Sequence, residues 1–278
     1  MQLSDSDLKR LEVEINTSID KHSLETLTEG PRKHLGMSEI GNDCSRQLWY
    51  KFRWMYNEVH SGRMLRLFKR GHREENRYIE ILKGIGCEVF QHDENGKQFR
   101  ASGVMGHYGG SCDGVALTPW MKGVPFLLEF KTHNQKSFDK YLEVGVHKSK
   151  PQHYSQMCSY GLKMKIDYAI YFPENKNTDE IRVSVIKLDH NEGMLLEIKA
   201  EKIIGSQTAP ERISDNPAYY KCKYCPALDL CHKNAKPLKN CRSCVMATPI
   251  DDGKWKCERF GIIPDSFIET ACDRWTPL

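Results

Sequence analysis

The sequence predicts an α/β domain, with a central mixed sheet flanked by helices and a small cysteine-rich module behind it. Three observations carry that expectation. Apolar runs on either side of the turn-forming TPWMKGVP make residues 112–132 a β-hairpin. Apolar residues recur at helical spacing over 63–84 and fit a helix again over 150–163, before and after the hairpin. Seven of the eleven cysteines lie after residue 220.

Along the chain, residues 1–29 are polar and helix-like and end near Gly30 and Pro31. Residues 44–58 and 63–84 read as helices, the second carrying Met64, Leu65, Leu67, Phe68, Tyr78, Ile79 and Leu82 on a helical repeat. Gly71 interrupts that repeat. A glycine inside a helix costs on the order of 1 kcal/mol relative to alanine, which points to close approach by another backbone or by DNA. Residues 87–91 read as a strand, and Gly103 to Gly110 as a turn plus strand. A helix over 150–163 is followed by strands at 168–173 and 181–189 around the turn PENKNTDE, then a helix over 191–205. The length of 278 residues suits one sizeable domain, 1–236, and an appendage, 237–278.

The hairpin carries the chemistry. Residues two apart on a strand share a face, so Glu129 and Lys131 point together and Phe130 points away, into the core. Asp113, near the end of the neighbouring strand, can meet them. Two carboxylates and a main-chain carbonyl suit a hard cation such as magnesium, which takes oxygen ligands and keeps several waters. Such an ion is a Lewis acid and water activator at a phosphodiester, and Lys131 would offset charge on the phosphate. Glu-x-Lys alone also fits an ordinary surface strand. Upstream, Glu75 lies one helical turn after Gly71. Downstream, Gln156 and Tyr160 share a helix face at i,i+4. A carboxamide and a phenol there can contact phosphate or a base, or brace the carboxylates.

In order, Gly71-x-x-x-Glu75, Asp113, Glu129-x-Lys131 and Gln156-x-x-x-Tyr160 resemble the PD-(D/E)XK nuclease superfamily. Within it they are most similar to the RecB-like, lambda-exonuclease-like and CRISPR-adaptation exonucleases, over about residues 40–232. The resemblance implies a restriction-endonuclease-like core and a metal-dependent DNA exonuclease. Such an enzyme hydrolyses phosphodiester bonds at DNA ends, leaving a 5′-phosphate and a 3′-hydroxyl, in recombination or DNA processing. It implies that Glu75, Asp113, Glu129 and the carbonyl of Phe130 hold magnesium or manganese. It makes Lys131 the catalytic lysine, and Gln156 and Tyr160 the motif helix. Cys112 stands where the superfamily's name has proline, and Glu75 where RecB-like members often carry histidine. The compact layout, without a helicase segment, resembles phage or mobile-element enzymes that work with a recombination partner protein. The alternative is a nucleic-acid-binding or assembly protein on a nuclease fold; the full set of acidic and lysine positions argues against it.

The cysteines form two groups. Cys222-x-x-Cys225-x5-Cys231 leaves a tetrahedral site one ligand short. His232 would complete it for zinc, or the distant Cys44 would supply a fourth thiolate. One cysteine before the core and three after it resemble the iron–sulfur nucleases of the RecB-like branch, which implies a 4Fe–4S cluster on Cys44, Cys222, Cys225 and Cys231. Its role would be a staple, since metal binding couples to folding. Cys241, Cys244, Cys257 and Cys272 match a structural zinc site with four thiolates. Cys87, Cys112 and Cys158 read as small buried hydrophobes.

Net charge is only +4, so no global basic field announces nucleic acid. From Arg46 to Arg77, however, nine Lys or Arg stand against three Glu, interleaved with six aromatics. This fits either DNA contact through residues such as Arg46, Arg70 and Arg73 or a helix pair with solvated charges. The first residues, MQLSDSDLKRLEVEIN, carry no apolar signal-peptide core, and no stretch reaches the roughly 18 apolar residues of a membrane span. The expectation is a cytoplasmic protein without a membrane, in which clustered cysteines hold metal rather than disulfides.

Overall fold

The computed structural model describes residues 3–278. Helix α1 (Asp5–Leu27) starts at Ser4, whose side chain accepts from the Asp7 N–H. Strand β1 (Leu35–Gly36) leads to α2 (Ser45–Phe52) and α3 (Gly62–Gly84). Strands β2 (Glu88–Phe90), β3 (Arg100–Gly103), β4 (Tyr108–Ser111), β5 (Gly114–Thr118) and β6 (Met121–His133) follow. Then come α4 (Gln135–Ser149), α5 (Pro151–Met164), β7 (Tyr168–Asn175), β8 (Glu180–Ile181), β9 (Ser184–Lys187) and α6 (His190–Gly205). The last part holds α7 (Tyr220–Lys223), α8 (Leu228–His232), β10 (Ala247–Ile250), β11 (Lys254–Cys257), β12 (Gly261–Ile263) and α9 (Asp265–Ile268).

The main sheet has the order β2-β5-β6-β7-β8, with β9 also paired to β7. Strands β5 and β6 are the expected hairpin, antiparallel with Val115 opposite Leu127. Strands β6 and β7 run parallel, with Glu129 opposite Tyr171. A parallel pair needs a long crossover, and α4 with α5 supplies it. The sheet is therefore mixed, and the alternation along β6 assigns its two faces. Phe126, Leu128 and Phe130 join Ile170 and Phe172 beneath Tyr78, Ile79 and Leu82 of α3. On the other face Leu127 joins Ala169 and Tyr171 beneath Phe138 and Tyr141 of α4 and Met157 of α5. Each fully buried side chain of this size stabilises by about 1.5–3 kcal/mol relative to exposure, so both faces hold β6 rigidly in place.

Two smaller sheets complete the fold, β1-β4-β3 and the antiparallel β10-β11-β12. Ala247 and Trp255 of the latter share one core with Trp49 and Phe52 of α2. The buried Arg242 guanidinium lies 4.2, 4.6 and 4.8 Å from the Trp54, Phe52 and Trp255 rings. Arg53 donates to the carbonyls of Arg242 and Ala247 at 3.1 and 3.0 Å. Among the described residues no helix is long and apolar enough to cross a membrane.

Four expectations need correction. The helix over 44–58 is shorter: α2 ends at Phe52, and Trp54 then turns left-handed at φ 52°. Gly71 sits inside a continuous α3, and a Cβ built on it would meet nothing within 4 Å, so no other backbone approaches there. The strand over 181–189 is two short pieces, β8 and β9. Helix α4 was not foreseen; it is interrupted at Gly145, whose φ of 72° favours glycine.

Candidate active site

Strand β6 brings Glu129 and Lys131 to the face that α5 covers. Phe130 points the other way, its ring 5.3 Å from Tyr78 and 5.7 Å from Phe172. Asp113 occupies the turn between β4 and β5, and its Oδ2 accepts the Phe130 N–H at 2.7 Å. That bond ties the turn to the strand carrying Glu129. The next residue, Gly114, has φ 153°, and a Cβ there would stand 3.0 Å from the Phe90 carbonyl oxygen, so the turn needs glycine.

Glu129 is fully buried. Its Oε2 accepts from Gln156 Nε2 at 2.9 Å. Its Oε1 is ion-paired with the Lys131 ammonium but has no well-directed hydrogen bond among the described residues. Burial pushes the Glu129 carboxyl up to about 7; Lys131 pulls it down, while Asp113 and Glu75 push it further up. Glu75, half-buried on α3, is also raised to about 7, first by burial, then by Asp113, with Lys131 opposing. Burial would lower the Lys131 ammonium, but Glu129, Asp113 and Glu75 outweigh it and hold the group above the ordinary lysine value. Glu129 pairs with the ammonium directly, while Asp113 and Glu75 act on it through space. Among the described residues no three His, Cys, Asp or Glu groups stand at metal-ligating spacing. Like-charged carboxylates repel, and Glu129 holds Lys131 instead.

Helix α5 braces this arrangement at two points. Gln156 holds Glu129, as above. Tyr160 donates to the Ser111 carbonyl at 2.8 Å, two residues before Asp113. Gly110 admits the phenol, since a Cβ there would lie 2.4 Å from Tyr160 Oη. Tyr160 is buried, so it braces rather than faces outward.

A polar chain that the sequence did not reveal lies alongside. Ser137 Oγ meets His133 Nδ1 at 2.8 Å, His133 Nε2 meets Tyr171 Oη at 2.8 Å, and Tyr171 Oη meets His153 Nδ1 at 2.9 Å. Burial, aided by Lys150 and Lys131, lowers His133 to about 4. Burial, then Lys131, lowers His153 to about 2. Both imidazoles are neutral in the fold. The only sequence signal was His153 one helical turn before Gln156.

The basic residues separate. Arg46 is half-buried and donates to Tyr50 Oη at 3.0 Å and to the Pro210 carbonyl at 2.8 Å. Arg70 and Arg73 lie on α3, the first half-buried and the second exposed.

The cysteines of each group lie near one another. Cys44, at the start of α2, lines a cavity of about 490 Å³ together with Cys222, Cys225, Cys231 and His232. Burial raises the Cys222 and Cys225 thiols, and the neighbouring cysteines, Cys44 included, add to it. His232 Nε2 is buried without a partner among the described residues, so it too stays available to this group. Burial raises the Cys241 thiol, reinforced by Cys272, Cys244 and Cys257. Four thiols are the donor set of zinc or iron–sulfur centres, but among the described residues neither group stands at metal-ligating spacing. Cys87, Cys112 and Cys158 are buried, as expected of small hydrophobes.

No family model and no curated protein matches the chain. Solved structures do. The protein SSO0001 is 17% identical over 77% of this chain and 94% of its own, with a TM-score of 0.44. An alkaline exonuclease (LHK-Exo) from Laribacter hongkongensis is 13% identical over 62% of this chain and 87% of its own, with a TM-score of 0.47. The same exonuclease in complex with dAMP is 14% identical over 62% and 86%, with a TM-score of 0.46. Likeness at this level leaves the function to the side chains.

Proposed function

We propose that this protein is a divalent-metal-dependent DNA nuclease, an exonuclease acting at DNA ends. One arrangement carries the reading: Glu129 is buried against Lys131 and Gln156, and Asp113 accepts the Phe130 N–H of the same strand, with Glu75 of the helix near enough to act on both carboxyls and on Lys131. Burying a carboxylate is costly, and Glu129 is buried here with Lys131 and Gln156 as its partners. The residue types suit a hard cation, carboxylates with the Phe130 main-chain carbonyl as a further candidate; among the described residues they do not stand at ligand spacing before an ion is bound. Bound magnesium or manganese would supply Lewis-acid polarisation of the phosphate and a more acidic water. The chain's own residues do the rest. Gln156 fixes the carboxylate plane of Glu129. Tyr160 and the Phe130 N–H fix the turn that carries Asp113. Lys131 offsets negative charge developing on the phosphate and orients the attacking water.

The thiol groups serve the same reading as staples. The first, on Cys44, Cys222, Cys225 and Cys231, would hold a 4Fe–4S cluster or, with His232 as a further candidate, zinc. The second, on Cys241, Cys244, Cys257 and Cys272, would hold zinc. The first joins segments far apart in sequence, and closing a long loop removes entropy from the unfolded chain.

Purified protein with magnesium should degrade linear duplex or single-stranded DNA, and Asp113→Ala and Lys131→Ala should abolish it. Cleavage retained by both variants removes the proposed site. A wild type that binds DNA but cuts nothing under any divalent ion favours a binding protein on the same fold.

A further inference from the structure

We infer that Tyr220 and Tyr224 form a stacking platform for single-stranded DNA beside the cavity lined by Cys44 and Cys222. The inference deepens the nuclease reading by naming the form of DNA that this side of the protein grips. Residues 219–224 read YYKCKY. Tyr220 is 65% exposed and Tyr224 is 80% exposed. A ring left in water forgoes the burial that makes aromatics useful in a core. Tyr219 packs edge-on against Tyr220 with centroids 4.7 Å apart. Lys221 Nζ stands 5.7 Å from the Tyr220 centroid, and Lys223 Nζ 5.4 Å from that of Tyr224. Each ring therefore carries its own ammonium. Lys221 is also ion-paired to Asp43, which ties the segment to the loop before α2.

Position connects this segment to the chemistry. Lys221 and Cys222 line the cavity of about 490 Å³, and Lys150, Gln152 and His153 line it from the start of α5. His153 lies one turn before Gln156, which holds Glu129. The lining carries Arg46, Lys150, Arg212 and Lys221 against one carboxylate, Asp43. A polyanion fits that wall. The pairing of ring and ammonium selects the ligand further. Lysines alone would suit any phosphate backbone. Exposed rings beside them reward only bases whose faces are open, which a paired duplex hides and a single strand offers.

The test is fluorescence anisotropy of labelled oligodeoxythymidylate and of a blunt duplex, with calcium in place of magnesium. Each ring lost is expected to weaken single-strand binding about fivefold or more. Tyr220→Ala/Tyr224→Ala should therefore lose about 25-fold or more on the single strand and change little on the duplex. Tyr220→Phe/Tyr224→Phe keeps the rings and should bind as the parent does, which also guards against a folding defect. Unchanged single-strand affinity in the alanine variant, or an equal loss on both DNAs, overturns the platform. Cleavage is read separately in magnesium. A parent that binds single strands through these rings yet cuts nothing sinks the nuclease reading alone. A parent that cuts DNA with ring-independent affinity sinks the platform alone.

Discussion

Replacing Lys131 by methionine isolates the contact on which the site depends. Glu129 is fully buried, with one oxygen on Gln156 and the other on Lys131. Removing one partner of a buried ion pair costs about 3–5 kcal/mol, because the other charge is left unpaired. Lys131 keeps 28% side-chain exposure, so the lower end applies, about 3 kcal/mol. For a chain of this length that lowers Tm by about 5 °C. The loss depends on pH, because Glu129 escapes by taking a proton. Its carboxyl already sits at about 7 in the fold, above its unfolded value. A raised carboxyl favours the fold at low pH and disfavours it as pH rises through that value. Lys131→Met pushes it higher still, so the deficit should be small near pH 5, open above pH 7 and already lower the Tm at pH 8. Glu129→Gln/Lys131→Met removes both charges and should recover most of the loss. Thermal unfolding in magnesium-free buffer at both pH values measures this. An unchanged Tm at pH 8, or a double variant no more stable than the single one, refutes the pairing.

Other consequences are equally specific. Gln156→Leu leaves a buried carboxylate oxygen without its donor, and should cost about 2 kcal/mol in urea unfolding along with DNA cleavage. Tyr160→Phe removes one neutral hydrogen bond to the Asp113 turn, and should cost about 1 kcal/mol while slowing cleavage. His133 and His153 are neutral in the fold, at about 4 and about 2, whereas an unfolded chain protonates them near 6.5. At these two groups the unfolded state then binds more protons, so their contribution to stability should fall as pH drops below about 6.5, by up to about 1.4 kcal/mol per unit for each histidine. Glu75 and Glu129, both raised to about 7, act in the opposite sense over the same range, so the check is a difference: His133→Gln should gain stability relative to the parent from pH 7 to pH 5, and an identical pH dependence of the two proteins contradicts it. Cys44→Ser should lower the metal bound per chain, measured by elemental analysis on anaerobically purified protein; an unchanged metal content excludes Cys44 as a ligand.

Much of the frame was legible because it is written in short-range periodicity. The 112–132 hairpin and the helix over 150–163 follow from alternation and helical spacing, and both stand in the structure as β5–β6 and α5. The shared face of Glu129 and Lys131 follows from strand geometry alone. Helix α4 was not legible, because Gly145 breaks its repeat and its polar face resembles a loop. The end of α2 was missed because the left-handed turn at Trp54 is set by packing: its ring meets Arg242, nearly two hundred residues on. The Ser137–His133–Tyr171–His153 chain was invisible for the same reason. Its members come from β6, α4, β7 and α5, and only the parallel pairing of β6 with β7 joins them. The two roles of α5 differ in the same way: a shared face for Gln156 and Tyr160 was expected, but which carboxylate each braces depends on the tertiary fold.

The most direct measurement is a time course on end-labelled linear duplex and on closed circles with magnesium, for the wild type and Asp113→Asn. The expected result is magnesium-dependent shortening of the linear DNA from its ends, intact circles, and no cleavage by the variant. Linear DNA left whole by the wild type, or cut as fast by Asp113→Asn, contradicts a metal-assisted nuclease centred on these carboxylates.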